Sequence, residues 1–216
     1  MKQSLLTSLV ASGVISATTF ILAGPAQALS FKFTGSPLVR PQLEFTNENV
    51  TVTATATSVA RQGKTREAAV FRGWGGLGVK NSPRDNTVQI DGSGWKDTLN
   101  LEFSQTVKLL TATFWDVQKN DDFSLTVDNQ LRIVGDIPNY YGYGFIDFTH
   151  RYPDLPSGDL FAFGVTYKND DYFLKSIHVH PVDVVPTPAA ALPALLGMGA
   201  AAIRKKRTTA EDVQEA

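Results

Sequence analysis

Alternation of apolar and polar residues is the dominant pattern in the middle of the chain. Residues 50–57 read Val-Thr-Val-Thr-Ala-Thr-Ala-Thr, and residues 99–103 read Leu-Asn-Leu-Glu-Phe. A period of two with many β-branched residues predicts β-strands. Further strands are predicted over residues 107–115, 123–127, 131–134, 160–167 and 172–179. Gly, Asn, Asp and Pro clusters separate them at short spacings. The predicted fold is therefore all-β, one antiparallel, jelly-roll-like β-sandwich over residues 29–183.

The N-terminal end has the pattern of an export signal. Lys2 precedes a mostly apolar run over residues 5–22, and Gly-Pro then leads into Ala26-Gln-Ala28. A positive start, an apolar segment and a small-residue site predict a helical signal peptide over residues 1–28, cleaved after Ala28 by signal peptidase. The alternative is a membrane anchor that stays attached, and the Ala-x-Ala site disfavours it.

The C-terminal end combines an uncharged stretch with a basic cluster. Residues 184–203 carry no charge, four basic residues follow, and residues 208–216 form a polar tail. About 20 apolar residues can cross a bilayer, and basic residues beyond them stay on the cytoplasmic side. We therefore expect a short hydrophobic helix that inserts transiently, with the tail in the cytoplasm and the β-domain outside. The alternative is a low-complexity tail in solution.

This C-terminal end resembles a PTPA-CTERM sorting signal, a variant of the PEP-CTERM signals that exosortase-type enzymes process in bacteria. The residues that carry the resemblance are Pro186, Thr187, Pro188 and Ala189, then the apolar run, then Arg204, Lys205, Lys206 and Arg207. The resemblance implies transient retention in the cytoplasmic membrane, cleavage near the motif, and a final location at the cell surface or outside the cell. Thr187 stands where the better-known form has Glu. The signal carries no information about the function of the domain it sorts.

Charge and cysteine content narrow the function classes. Residues 31–183 contain 18 Asp and Glu against 15 Lys and Arg, and the chain has no cysteine. Nucleic-acid affinity depends largely on neutralising phosphates, so an acidic domain without a basic run excludes that partner. Without disulfides, an exported domain relies on its core or on bound ions.

One short motif occurs twice, as Lys119-Asn-Asp-Asp122 and Lys168-Asn-Asp-Asp171, each time between two predicted strands. Asn and Asp favour turns because their side chains bond to nearby backbone groups. Carboxylates in loops are also calcium ligands, which is the alternative interpretation. The spacing matches no EF-hand, so we favour turns.

A second acidic stretch, over residues 76–92, combines glycines with Asp, Asn and Gln. Residues 76–128 resemble the body of exported proteins that carry these sorting tails, sandwich domains mostly without an assigned activity. The candidate ligands for a structural calcium ion are Asp85, Asp91 and Asp116, together with backbone carbonyls. The alternative is that Asp85 and Asp91 are turn residues.

Residues 139–154 hold four of the six tyrosines in the chain. Tyrosine offers an apolar face and a hydroxyl group, and exposed tyrosines are common on binding surfaces. The candidate ligand-binding residues are Tyr140, Tyr141, Tyr143, Tyr152 and Trp74, and the candidate partner is exopolysaccharide. The alternative is that these rings cover an open end of the sandwich.

Catalytic motifs are scarce. The chain has no Gly-x-Ser-x-Gly and no His-Glu-x-x-His motif, and His178 and His180, on one face of a strand, form only an incomplete zinc pair. We therefore expect a non-catalytic protein of the cell surface or extracellular matrix. The alternatives are a polysaccharide hydrolase or lyase on the same fold and a purely structural surface protein.

Overall fold

The computed structural model describes residues 27–60 and 62–182, and nearly all of their regular structure is β. The strands are β1 (Leu29–Lys32), β2 (Leu38–Arg40), β3 (Gln42–Asn47), β4 (Val50–Ala60), β5 (Thr65–Arg72), β6 (Leu77–Lys80), β7 (Ile90–Asp91), β8 (Trp95–Trp115), β9 (Asp122–Val127), β10 (Gln130–Asp136), β11 (Asn139–Tyr140), β12 (Tyr143–Asp147), β13 (Ser157–Val165) and β14 (Asp171–Pro181). The only helix among these residues is α1 (Phe148–Arg151).

Strand β8, with 21 residues, organises the fold because it belongs to both layers. Its first half pairs with β4 and β13, and β3, β9 and β10 extend that layer. Its second half pairs with β12 and β14, and β1 and β6 extend the other layer from β14. Strand β5 pairs with both β4 and β6 and joins the two layers at one side.

The core lies between the two layers and is rich in phenylalanine. The rings of Phe31 and Phe103 lie 5.9 Å apart, and the ring of Phe114 lies 6.2 Å from Phe163 and 5.9 Å from Phe123. Each of these rings is buried. Because contacts between Phe114 and both β9 and β13 run from layer to layer, the predicted antiparallel β-sandwich is confirmed.

The strand predictions differ from the structure in length rather than in type. Residues 99–103 and 107–115 were expected as separate strands, but both belong to β8. The strand expected over residues 160–167 ends at Val165, because the next two residues enter a turn. Several strands at the margins of the sheet were not predicted, since segments such as β2 and β11 are too short to show a period.

Several predicted elements lie outside the described residues. These are the signal peptide up to residue 26, the sorting signal over residues 184–207 and the tail over residues 208–216. The individual residues are Ala26, Pro186, Thr187, Pro188, Ala189, Arg204, Lys205, Lys206 and Arg207. Ala28 is described and is exposed just before β1. In the part of the chain that the structure describes, no helix has the length and apolar character needed to cross a membrane.

Candidate functional site

The tyrosine-rich segment forms a tight hairpin between β11 and β12, in which Tyr140 pairs with Tyr143. The two turn residues, Tyr141 and Gly142, have φ angles of 52° and 82°. Positive φ at both positions is the mark of a type I′ turn, which usually takes Asn-Gly. A left-handed conformation costs a residue with a Cβ atom about 1 kcal/mol. Tyr141 therefore occupies a turn position that Asn or Gly would adopt at a lower cost.

Hydrogen bonds to Val117, two residues after the end of β8, fix the position of this hairpin. Asn139 Nδ2 donates to the carbonyl oxygen of Val117 at 2.6 Å, and Asn139 Oδ1 accepts from the Gly142 amide at 3.1 Å. The Val117 amide in turn donates to the Gly142 carbonyl at 3.1 Å. The turn is therefore held at both of its ends, and its tyrosines have a defined place on the molecule.

The hairpin presents its rings on one face, next to a tryptophan of β8. Residues paired across a hairpin share a face, which places Tyr140 and Tyr143 side by side. The Tyr143 and Trp115 ring centroids lie 4.3 Å apart, and those of Tyr140 and Tyr141 lie 4.8 Å apart. Tyr140 is 75% exposed, Tyr141 87% and Tyr143 44%. The rings therefore do not close an end of the sandwich but face solvent.

Trp74 lies in the loop between β5 and β6, and this loop packs against Trp115 through Gly75. A Cβ atom on the next residue, Gly75, would lie 2.5 Å from Cδ1 of Trp115 and 3.1 Å from Cδ2 of Phe173. The loop can lie this close to both rings only because residue 75 is glycine. Trp74 itself is 80% exposed. We call Trp74, Trp115, Tyr140, Tyr141 and Tyr143 together the aromatic surface.

A lysine of β14 completes the aromatic surface. Lys175 Nζ lies 4.6 Å from the Tyr143 ring centroid and 5.1 Å from the Trp115 ring centroid. The same side chain lines a shallow pocket with Trp74 and with residues 34–36. Trp115 and Lys175 were not predicted as site residues. Strand alternation could have identified them. Trp115 follows the buried Phe114 and Lys175 follows the buried Leu174, so each side chain points to the outer face of its strand.

Tyr152 is the one predicted aromatic residue that lies elsewhere. The chain turns inward at α1, and Tyr152 packs on the buried Phe148 with ring centroids 5.8 Å apart. It lines a separate pocket together with Arg132 and Asp154. Tyr152 therefore packs against the core and lies apart from the other predicted aromatic residues, and a role for it in ligand binding stays a prediction.

The repeated Lys-Asn-Asp-Asp motif forms the same turn in both copies. Asp121 Oδ2 accepts from the Gln118 amide at 2.5 Å, and Asp170 Oδ2 accepts from the Tyr167 amide at 2.5 Å. In each copy the Asp amide also points back to the carbonyl three residues earlier, at 3.5 Å and 3.4 Å. The first Asp of each copy therefore closes its turn with both its side chain and its backbone amide. The interpretation of the repeat as turns is confirmed.

The two turns lie side by side at one end of the sandwich. Asn120 Nδ2 donates to the carbonyl oxygen of Asn169 at 3.4 Å, and the Asp171 amide donates to Asp121 Oδ1 at 3.4 Å. Lys119, at the tip of the first turn, also lines the pocket under Tyr140 and Tyr141. The first turn therefore borders the aromatic surface.

The three predicted calcium ligands have partners within the protein. The Thr87 hydroxyl lies 3.0 Å from Asp85 Oδ1 and 2.6 Å from Asp91 Oδ2, and Gln89 Nε2 lies 3.4 Å from Asp116 Oδ2. Across residues 27–60 and 62–182, no three His, Cys, Asp or Glu side chains are arranged to hold a metal ion. Calcium also takes carbonyl oxygens, and its binding stays a prediction.

The burial of several carboxyl groups was not predicted. Asp97, Asp121 and Asp170 are fully buried, and Asp91 is 4% exposed. Burial raises the pKa of Asp97 to about 7, although the Ser58 hydroxyl donates to its Oδ1 at 2.6 Å and opposes the rise. Burial likewise raises the pKa of Asp121 to about 6. Asp97 and Asp121 therefore take up or release a proton closer to neutral pH than an exposed aspartate does.

The histidines offer no complete metal site in the described part of the chain. His178 is exposed on β14, and His180 Nδ1 lies 2.8 Å from the Pro181 carbonyl oxygen. Glu102 is exposed on β8. Neither histidine approaches a carboxylate within 4 Å, since the only such pair in residues 27–60 and 62–182 joins His150 and Asp147.

No protein-family model matches the chain, and no curated protein matches it. Among solved structures, the chain is similar to CBM32-3 from a family 31 glycoside hydrolase of Clostridium perfringens. The TM-score is 0.26 and the identity 14%, over 46% of this chain and 84% of that chain. A likeness with so low a TM-score carries no argument about fold or function, so the β-sandwich rests on the strand pairing described above.

Proposed function

We propose that this protein is an exported component of the cell surface or extracellular matrix, and that its β-sandwich binds exopolysaccharide without cleaving it. The observation that carries the proposal is the aromatic surface. Trp74, Tyr140 and Tyr141 are each at least 75% exposed, although rings of this size gain most by burial. A sugar ring stacked on them would remove that apolar surface from water, while its hydroxyl groups would stay accessible to polar side chains.

The rigidity of the site also supports binding. The hairpin is held by Asn139, and Trp74 is placed by the contact of Gly75 with Trp115. Aromatic side chains in fixed positions lose little conformational entropy when they contact a ligand. The strain at Tyr141 fits the same reasoning, since an Asn at this position would suit the turn better but would present no ring.

The test compares a variant that lacks one ring with a matched control. Tyr141→Asn places a residue that suits the turn and should be at least as stable as the wild type. Its affinity for exopolysaccharide purified from the host should fall about fivefold, because the loss of one aromatic contact costs about 1 kcal/mol of binding free energy. Leu131→Ala removes an exposed side chain from β10, which is 63% exposed and outside the aromatic surface, and should leave the affinity unchanged.

Affinity would be measured by isothermal titration calorimetry on the full-length chain in detergent. Equal affinity for wild type and Tyr141→Asn would contradict the proposed site. The hydrolase or lyase alternative is checked in the same samples by assaying newly formed chain ends of the polysaccharide. A time-dependent increase in those ends would replace the binding function with an enzymatic one.

The proposed location follows from the resemblance of the C-terminal end to a PTPA-CTERM signal. An exosortase-type enzyme would remove the basic cluster after transient insertion in the cytoplasmic membrane, and signal peptidase would remove residues 1–28. Mass spectrometry of the protein recovered from the native host tests this. A mature form that still contains residues 204–207 would rule out the sorting step.

A further inference from the structure

The positive charge of Lys175 has no carboxylate within 4 Å among the residues that the structure describes. Its Nζ faces the rings of Tyr143 and Trp115, and cation–π contacts of this kind stabilise an ammonium group without using its N–H donors. Within residues 27–60 and 62–182, the single ion pair closer than 4 Å is the one between His150 and Asp147. The Lys175 ammonium is therefore free to pair with a group that arrives from outside.

A second cation, Arg72, lies beside the pocket without being part of its lining. The side chain of Arg72, at the end of β5, lies against Gly35, where an added Cβ atom would be 3.0 Å from Nε and 3.3 Å from Cζ. Arg72 Nε is buried and has no hydrogen-bond partner among the described residues. Arg66 Nε is buried without a partner in the same way, so the contribution of Arg72 to the pocket is its positive charge rather than a free Nε donor. Gly35 lines the pocket together with Lys175 and Trp74.

Arg72 and Lys175 bind anions in different ways, and together they fit a single planar or tetrahedral oxyanion. Arginine presents a planar set of donors that fits a carboxylate or sulfate, and lysine adds a mobile point charge. The pocket also contains the hydroxyl-bearing residues Thr34 and Ser36. The pocket therefore combines the Lys175 ammonium with two hydroxyl groups and the Trp74 ring, and it lies next to the aromatic surface.

We propose that the pocket lined by Thr34, Gly35, Ser36, Trp74 and Lys175, with Arg72 beside it, binds an anionic substituent of the polysaccharide, either a uronate carboxylate or a sulfate ester. This inference rests on the function proposed above and adds the ligand class. A sugar ring stacks on the aromatic surface, while its anionic group reaches Lys175 and the Arg72 guanidinium. The protein therefore selects acidic exopolysaccharide over neutral polymers.

The test uses the exopolysaccharide of the host in three forms: untreated, with its carboxyl groups reduced to alcohols, and with its sulfate esters removed. The full-length chain should bind the untreated polymer, and one of the two treatments should lower the affinity about tenfold, as expected for the loss of a charge-assisted contact. The treatment that has this effect identifies the substituent as uronate or sulfate.

Three variants assign the effect to the pocket. Lys175→Gln should lower the affinity for the untreated polymer about tenfold and abolish the difference between treated and untreated forms. Lys175→Arg keeps the charge and should retain most of the affinity. Lys64→Gln removes an equal charge from the exposed turn before β5 and should leave the affinity unchanged. Lys64 lies at the start of β5, whereas Trp74 follows the other end of that strand.

Each outcome decides between the two proposals. If the untreated polymer does not bind, the proposed function fails and this inference fails with it. If all three forms bind equally and Tyr141→Asn weakens each of them, the function stands and the anionic subsite is refuted. If Lys175→Gln and Lys64→Gln weaken binding by the same factor, the attraction is a general charge effect and the subsite is again refuted.

Discussion

The buried carboxyl of Asp97 should make the protein lose stability as the pH rises towards neutrality. Asp97 is fully buried on β8, and burial together with the nearby charges of Asp91 and Asp85 raises its pKa to about 7. The Ser58 hydroxyl and the Asn81 amide donate to it and only partly offset this rise. Between about pH 4 and pH 7 the folded protein therefore holds a proton that the unfolded chain has lost.

The sign and the size of the effect follow from this difference in bound protons. Where the folded state binds more protons, the free energy of unfolding falls as the pH rises. One pKa unit corresponds to about 1.4 kcal/mol. A rise of about three units in the pKa of Asp97 therefore lowers the free energy of unfolding by up to about 4 kcal/mol, and this loss is complete above pH 7. The raised pKa values of Asp91, Asp121 and Asp171 act in the same direction.

Replacing Asp97 with Asn removes the titrating group and keeps an oxygen that can accept from Ser58. We expect Asp97→Asn to be more stable than the wild type at pH 8, by up to about 4 kcal/mol, and close to it at pH 4. Urea denaturation of the full-length chain from pH 4 to pH 8, followed by tryptophan fluorescence in EDTA, measures this. Asp154→Asn, at an exposed position, is the control. A variant that is less stable than wild type at pH 8 would refute the reasoning.

Three further outcomes are expected from the structure. Gly92→Ala should lose about 2–4 kcal/mol in urea denaturation, because the new Cβ would lie 2.0 Å from the Tyr167 carbonyl oxygen. Gly94→Ala, with φ of 77° and open space around it, should lose only about 1 kcal/mol. Asp170→Ala should cost about 2–3 kcal/mol because two turn amides lose their acceptor, whereas Asp122→Ala should be milder. The predicted calcium ion is tested by thermal unfolding. An unfolding midpoint that rises with calcium and returns to its original value with EDTA would support the prediction, and an unchanged midpoint would contradict it.

The strands that could be predicted from the sequence are those that are long and buried on one side only. Strands β4 and β9 alternate over six residues or more, and this period identifies them directly. Strand β8 was divided in two because Ser104 to Thr106 break its alternation; its pairing with β13 shifts register at this point and resumes at Val107, so that one continuous strand results. Continuity of a strand through such a break is decided by its neighbours, which a single sequence does not show.

The candidate site could be predicted only in part, for a related reason. The tyrosines adjacent in sequence were found by composition, but Trp115 and Lys175 reach them through pairing of β8 with β12 and β14. Tyr152 was misplaced because closeness in sequence was taken for closeness in space, and α1 separates it from the hairpin. Buried Asp97 was missed since a polar residue in a strand is normally expected to face solvent.

The repeated motif shows how one turn can serve two purposes. Both copies close a turn through the first Asp, and this local chemistry accounts for the similarity of the two sequences. The first turn follows Val117, whose amide and carbonyl both bond to the tyrosine hairpin, so that turn also helps to place the rings of Tyr141 and its neighbours. The second turn instead receives the Gly92 amide through Asp170 and joins the β7 region to β14. Similar sequences therefore do not imply two equal sites: only the first copy borders the aromatic surface, and only there should changes in the turn alter binding as well as stability.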